Sequence, residues 1–379
     1  MLTVHDLVVE GKRVLVRADL NVPLSEGHIR DDFRIRAFLP TIRLLAERQA
    51  RQIIILSHLG RPKGNVVPEY SLRPVAEKLG ELLGERVALV SDFSAVPEQR
   101  YVLLENLRFH EEEEAGDASF ANALARLGDA YVQDAFGTLH RRHASIVALP
   151  ACFPPSERAV GLLVQKELKG LDISRPERPF IAILGFAKLS SKIALIKELL
   201  TKVDQVLLGG GVVFTFLKAQ GLEIGTSLCE DDQLPTARQL LADHAEKIML
   251  PKDFVISDDI EGTEIFTVDA DKIPPTMKGL DIGDASIEEF KRVLDNACTV
   301  FWNGPVGVFE QPPFDTATEA LAAHLAKSKA RVIIGGGDTA SAVRKMGYAP
   351  YYAHVSTGGG AALQYLAGEE LPGLKALEE

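Results

Sequence analysis

The sequence predicts an α/β protein built from two doubly wound parallel-sheet domains joined by a hinge helix. Three observations predict it. A chain of 379 residues exceeds the size at which a single hydrophobic core stops growing, so two cores are expected. Short β-branched or apolar runs, each ending in a polar or glycine-bearing cluster, alternate with helix-like stretches, the pattern of βα units around a buried parallel sheet. A strand–glycine–helix unit also recurs three times in the second half: "QVLLGGGVVFTFLKAQG" (205–221), "RVIIGGGDTASAV" (331–343) and "YYAHVSTGGGAALQYL" (351–366).

Taken in order, the first half offers strands at "RVLVRADLN", "QIIILSHLG", "YVLLENLRF" and "AYVQDAFG", with helices at "RIRAFLPTIRLLAERQ" and "SLRPVAEKLGELLG". The second half offers strands at "PFIAILGF", "QVLLGGG", "CTVFWNGP", "ARVIIGGGD" and "YYAHVSTGGG". Each set is Rossmann-like. The segment "KELKGLDISRPERP" (166–179) combines a helix with a Pro- and charge-rich exit and is read as the joint. The expected domains are therefore 1–168 and 169–366, with the tail 367–379 docking on the first. The run "EEEE" at 111–114 reads as a solvated face.

Composition narrows the function. Lys and Arg number 42 against 53 Asp and Glu, a formal charge of −11, which argues against a general nucleic-acid or anionic-membrane binder. Any anion site must be a local basic cluster. Three scattered cysteines, Cys152, Cys229 and Cys298, suggest neither a disulfide framework nor a zinc motif and fit a reducing cytoplasm. The first residues lack a signal-peptide pattern, and no apolar run reaches the roughly 18 residues needed to span a membrane.

The glycine triplets suit a phosphate, because a helix start after a glycine turn aims several N–H groups and a positive dipole end at one point. Such units in one open sheet converge beyond the carboxyl ends of its strands. Lys188 and Lys192 in "GFAKLSSKI" would share a helical face if the helix begins at the strand end. Asp338 after the second triplet is either an N-cap or a Mg²⁺ carboxylate. In the first half, Arg17, Asp19, Asn21, Arg34, His58, Arg61, Arg108, His140 and Arg141 follow apolar runs. Arginine forks in that placement suit a small, multiply anionic molecule. Asp19, which alone would repel an anion, is better suited to accepting from a hydroxyl, with Asn21 beside it. There is no GxxxxGK[ST], no HRD loop and no GxGxxG with a spaced acid, so neither a P-loop enzyme, a protein kinase nor a nicotinamide dehydrogenase is indicated. The lack of an obvious base suits phosphoryl transfer to a carboxylate, which is already ionised.

"VRADLNVPL", "SHLGRP", "LLENLRF", "DAFGTLHRR", "GGGVVFTFLKAQG", "EIGTS", "WNGPVGVFE", "GGGDTA" and "STGGGA" occur in the order and spacing of the phosphoglycerate kinase family, compact bacterial type, and the chain resembles that family over nearly its whole length. The resemblance implies a cytoplasmic, monomeric hinge enzyme of glycolysis that interconverts 1,3-bisphosphoglycerate plus ADP with 3-phosphoglycerate plus ATP, using Mg²⁺. It implies a triose site of Asp19, Asn21, Arg34, the run His58, Leu59, Gly60 and Arg61, then Arg108 and Arg141, with Arg17 and His140 in the same basic patch. It implies that Lys188 and Lys192 meet the transferred phosphoryl group and nucleotide phosphates, and that Gly209 and Pro305 line an adenine pocket. Glu310 would meet the ribose and Asp338 the metal. Asn303, Gly336, Gly337, Thr339, Gly358 and Gly359 would surround the nucleotide, Gly337 and Gly359 counting with Arg34 and the two lysines as catalytic.

The chain departs from the family pattern where "GGAKV" reads "GFAKL", which puts Phe186 at a glycine position, and where "GTAHRAHAS" reads "GTLHRRHAS", which puts Leu139 and Arg142 beside the expected triose site. The first departure leaves room for an alternative, a non-catalytic metabolite sensor of the same fold.

Overall fold

A computed structural model describes residues 1–378. They form two compact units: Met1–Lys169 together with the segment from Glu370, and Gly170–Glu369.

The first unit holds a six-stranded sheet in the spatial order Val87–Val90, Tyr101–Leu104, Gln52–Leu56, Arg13–Arg17, Ala130–Gln133, Arg158–Val160. Every pairing is parallel. "QIIIL" is buried at all five positions, as a central strand covered on both faces requires. Its neighbouring helix Phe33–Glu47 buries Ile35, Phe38, Leu39, Ile42 and Leu45, the three-and-four spacing of one helical face. The C-terminal helix Pro372–Glu378 packs on this unit, with Gly373 N donating to Leu139 O at 2.9 Å. Leu139 is fully buried beneath that helix, so its side chain packs in the core of this unit. Arg142 is exposed.

The second unit holds another all-parallel sheet, in the order Ile248–Met249, Gln205–Gly209, Phe180–Gly185, Thr299–Asn303, Arg331–Gly335, His354–Val355. Numbered within the sheet, that order is 3-2-1-4-5-6, with winding reversed between Phe180–Gly185 and Thr299–Asn303. Open α/β sheets bind ligands at that switch point, beyond the carboxyl ends.

The first two glycine triplets serve the same purpose. Gly209 and Gly335 end strands, Gly210 (φ +67°) and Gly336 (φ +84°) turn the chain through the left-handed region, and helices Val212–Ala219 and Gly337–Lys345 follow. A side chain at either turn would be strained. Unpredicted are the edge strands Val87–Val90, Arg158–Val160 and Ile248–Met249 and an antiparallel sheet of Ile265–Asp269, Asp253–Ser257 and Lys278–Ile282.

The acidic run 111–114 corrects an expectation in part. It forms the short helix Glu111–Ala115, in which Glu111, Glu112 and Glu114 are exposed but Glu113 points inward with no exposed surface. Its carboxylate accepts from Ser145 N at 2.9 Å and Ser145 Oγ at 2.6 Å. A buried arginine nearby, Arg17, supplies the charge that makes this burial tolerable.

Candidate active site

In the first unit the parallel sheet sends its carboxyl ends to one edge, so residues distant in sequence meet there. Arg34, from the start of its helix, donates from Nη1 to both oxygens of Asp19 at 2.8 and 2.9 Å. Asp19 is therefore neutralised by a partner and is no isolated charge. Asn21 Oδ1 accepts from Gly60 N at 3.0 Å, and Arg108 Nη1 donates to Gly60 O at 2.7 Å. Asn106, inside "LLENLRF" but not among the expected site residues, braces the loop by donating to Leu59 O at 2.7 Å and Tyr70 O at 2.9 Å. Leu59 itself is buried, so its side chain supports the loop and does not face a ligand.

Arg17 is completely buried. It donates from Nε to Ser145 Oγ at 2.8 Å and from Nη1 to Ala18 O, and lies 3.9 Å from Glu113. Its expected contact with a substrate is thus replaced by support from behind: Nη2 is 3.3 Å from His58 Nδ1. Burial, then the charges of Arg17 and Arg108, holds His58 well below its ordinary value. Burial and the same two arginines push His143 down to about 3. Burial likewise lowers His140, with Arg141 next in effect. Three neutral imidazoles thus sit among guanidinium groups. Arg108, pushed down to about 10 by burial, stays charged at neutral pH and lies 3.3 Å from Glu114. Arg61 is exposed, and neither it nor Arg141 has a carboxylate partner among the described residues. The edge is therefore a local concentration of positive charge in an acidic protein.

The second unit carries a cavity of about 720 Å³ at its switch point. Glycines from all three repeats line it: Gly210 and Gly211, Gly336 and Gly337, Gly359 and Gly360. Asn303, Pro305, Glu310, Asp338, Thr339 and Lys192 line it too. Thr339 Oγ1 accepts from Gly304 N at 2.6 Å, tying two strand ends together. Burial lowers the Lys192 ammonium, and the nearby Asp338 carboxylate works the other way.

Two expectations need correction here. The helix after the first strand begins only at Ile193, so Lys188 and Lys192 lie on the preceding loop, not on one helical face. Lys192 lines the cavity, whereas Lys188 is exposed outside its lining. Gly209 packs against Val306, where a Cβ would come within 2.6 Å, and does not reach the cavity surface. Not marked by any sequence motif are Phe254, Ile260 and Leu280, which join the lining from the antiparallel sheet and its turn. Those residues carry only the signal of ordinary apolar strands.

Two αβ units, one with a basic edge and the other with a glycine-walled cavity holding a lysine and a carboxylate, define a two-domain phosphotransferase without a P-loop. The family model for phosphoglycerate kinase matches residues 4–369. The chain is 48% identical over 390 residues to the phosphoglycerate kinase of Pelotomaculum thermopropionicum, covering 99% of this chain and 98% of that protein. It is 49% identical over 397 residues to that of Synechococcus elongatus, covering 100% and 98%. Among solved structures, phosphoglycerate kinase from Coxiella burnetii superposes with a TM-score of 0.89 at 39% identity, covering 100% of this chain and 98% of that one. That from Pyrococcus horikoshii gives 0.86 at 31%, with the same coverage. The chain belongs to the phosphoglycerate kinase family.

Proposed function

We propose that the chain catalyses its family's reaction, reversible phosphoryl transfer between 1,3-bisphosphoglycerate and ADP to give 3-phosphoglycerate and ATP, with the triose held by the first unit and the nucleotide by the second. The observation that carries it is the convergence of three glycine turns, Lys192 and Asp338 on one cavity at the switch point of the second sheet. Backbone N–H groups and a lysine suit a polyphosphate. The acceptor carboxylate is already ionised, so the protein has only to orient it and neutralise charge on the moving phosphoryl group.

In this division of labour Arg61, Arg108 and Arg141 grip the triose, Asp19 and Asn21 meet its hydroxyl, and Arg17, His58 and His140 keep the basic edge in shape. Arg34 and Lys188 neutralise the equatorial oxygens in transit, which requires the two units to close over the substrates and exclude water. Pro305 lies against the base and Glu310 against the ribose, while Asn303 and the backbone of Gly336, Gly337, Thr339, Gly358 and Gly359 surround the phosphates. Magnesium fits the donor set, since it favours one or two carboxylates together with substrate phosphates and retained waters, and Asp338 is an exposed carboxylate beside Lys192. Asp338 would hold the ion, which would neutralise charge on the nucleotide. The enzyme is read as a cytoplasmic monomer; no helix among the described residues is long and apolar enough to cross a membrane.

Purified protein should form ATP from ADP and 1,3-bisphosphoglycerate with an absolute need for Mg²⁺, and Asp338→Ala should raise the Mg²⁺ concentration for half-maximal rate at least tenfold. A folded chain with no turnover under these conditions would return the sensor alternative to the front.

A further inference from the structure

Phe186 occupies the first position after strand Phe180–Gly185, on the same loop as Lys188 and Lys192. It lines the cavity and is only partly buried. Its backbone is not free. Val212 N donates to Phe186 O at 2.8 Å, and Gly210 approaches so closely that an added Cβ would stand 2.9 Å from Phe186 N and 3.1 Å from Phe186 O. The ring is thus carried by a fixed main chain at the switch point.

Its surroundings are apolar. A Cβ on Gly211 would meet Leu228 Cδ2 at 3.0 Å and Ala187 O at 3.1 Å, so Phe186 and Leu228 both flank the Gly210–Gly211 turn. Leu228 and Ile260, also in the lining, are 45% and 43% exposed. Large apolar side chains left open at the wall of one cavity are the surface that an aromatic ligand would cover. Two polar residues of the lining are already engaged: Lys278 pairs with Asp259 at 2.8 Å, and Asp281 accepts from Ala317 N and Ile282 N, each at 2.9 Å. A flat ring with a π-face and little demand for edge hydrogen bonds matches such a wall.

Resting on the nucleotide assignment above, we propose that the Phe186 ring is the stacking face for the purine base of the bound nucleoside diphosphate, with Leu228 and Ile260 completing the apolar slot. Phe186 then raises nucleotide affinity instead of obstructing the cavity, and the loop that supplies the phosphate-contacting lysines also supplies the base contact. Stacking acts on the base alone, so it leaves the affinity for a base-free polyphosphate untouched.

The test is calorimetry on the full chain with Mg²⁺-ADP and, separately, with inorganic pyrophosphate, comparing wild type, Phe186→Tyr, Phe186→Leu and Phe186→Gly. Stacking predicts that Phe186→Tyr keeps the ADP dissociation constant within about twofold, while Phe186→Leu raises it several-fold and Phe186→Gly about tenfold or more. Pyrophosphate affinity should be the same in all four. Phe186→Leu keeps a bulky apolar side chain, so it separates loss of the π-face from any loosening of the loop by glycine. An unchanged or lower dissociation constant for ADP in Phe186→Gly overturns the proposal, as does an equal loss for ADP and pyrophosphate, and either result leaves the nucleotide site standing. Wild type that is folded yet binds neither probe removes the nucleotide assignment itself, and the stacking role with it.

Discussion

Single residues decide whether the basic edge of the first unit works. Arg34 has its guanidinium set on Asp19 at 2.8 and 2.9 Å, which holds the fork at the carboxyl edge of the sheet in advance of substrate. Removing one pre-positioned donor to developing charge costs about 10²–10³-fold in rate, so Arg34→Ala should lower kcat by at least about 10²-fold. Arg34→Ala also leaves Asp19, only 9% exposed, without its partner, so the urea midpoint is measured beside kcat and the rate is taken on protein that remains folded. A near-normal kcat would remove Arg34 from the chemistry. His143 makes a different prediction. It faces Arg17, Arg108, Arg141 and His140, with Glu113 Oε1 3.8 Å from Nδ1. Its folded value of about 3 lies below the ordinary 6.5, so between those values the unfolded chain binds the proton and the folded one does not. Stability contributed by the neutral ring is present above about 6.5 and falls as pH drops, by up to about 1.4 kcal/mol per unit. From pH 7 to 5.5 wild type should lose about 1 kcal/mol more than His143→Asn in urea unfolding; equal losses would show that the ring binds its proton as readily in the fold as in the unfolded chain.

At the scale of elements, the short helix Glu111–Ala115 does more than its acidic sequence suggests. Glu113 and Arg17 are both fully buried, 3.9 Å apart, and bridged by Ser145. Deleting one partner strands the other charge, so Glu113→Ala should destabilise the first unit by about 3–5 kcal/mol. A shift in unfolding free energy below about 1 kcal/mol would mean that water replaces the carboxylate. This element also marks the limit of what the sequence discloses. Strand runs such as "QIIIL" and the glycine triplets were legible because burial on both faces and left-handed turns restrict residue type. The inward turn of Glu113 was not, because its partner lies 96 positions upstream and four glutamates in a row look alike. The Lys188 and Lys192 loop was misread for a related reason: four-residue spacing is compatible with a helix but does not start one. The antiparallel sheet escaped because its strand Ile265–Asp269 is largely exposed and lacks the apolar run that flagged the others. Phe254, Ile260 and Leu280 of the cavity wall escaped with it.

At the scale of the whole molecule, two cores each proposed to hold its own ligand imply two separable responses. A ligand that binds only the folded state stabilises it by RT ln(1 + [L]/Kd), about 2.7 kcal/mol at a hundredfold excess over Kd, and amide exchange reports where that stabilisation is felt. Magnesium-ADP at such an excess should slow exchange in Phe180–Gly185, Thr299–Asn303 and Arg331–Gly335, whose carboxyl ends meet the cavity. It should leave Arg13–Arg17 and Gln52–Leu56 little changed. 3-Phosphoglycerate should do the reverse, since the arginines proposed to grip it follow the strands of the first sheet. Because the chain as a whole carries −11, attraction for this anion is confined to the local arginine edge, and its binding should weaken as ionic strength rises past about 0.1 M, where the screening length is about 10 Å. Mass spectrometry of exchange with each ligand alone decides the matter. Protection by ADP spread equally over both sheets would break the assignment of one substrate to each unit, because a ligand confined to one cavity stabilises a second core only through coupling between them.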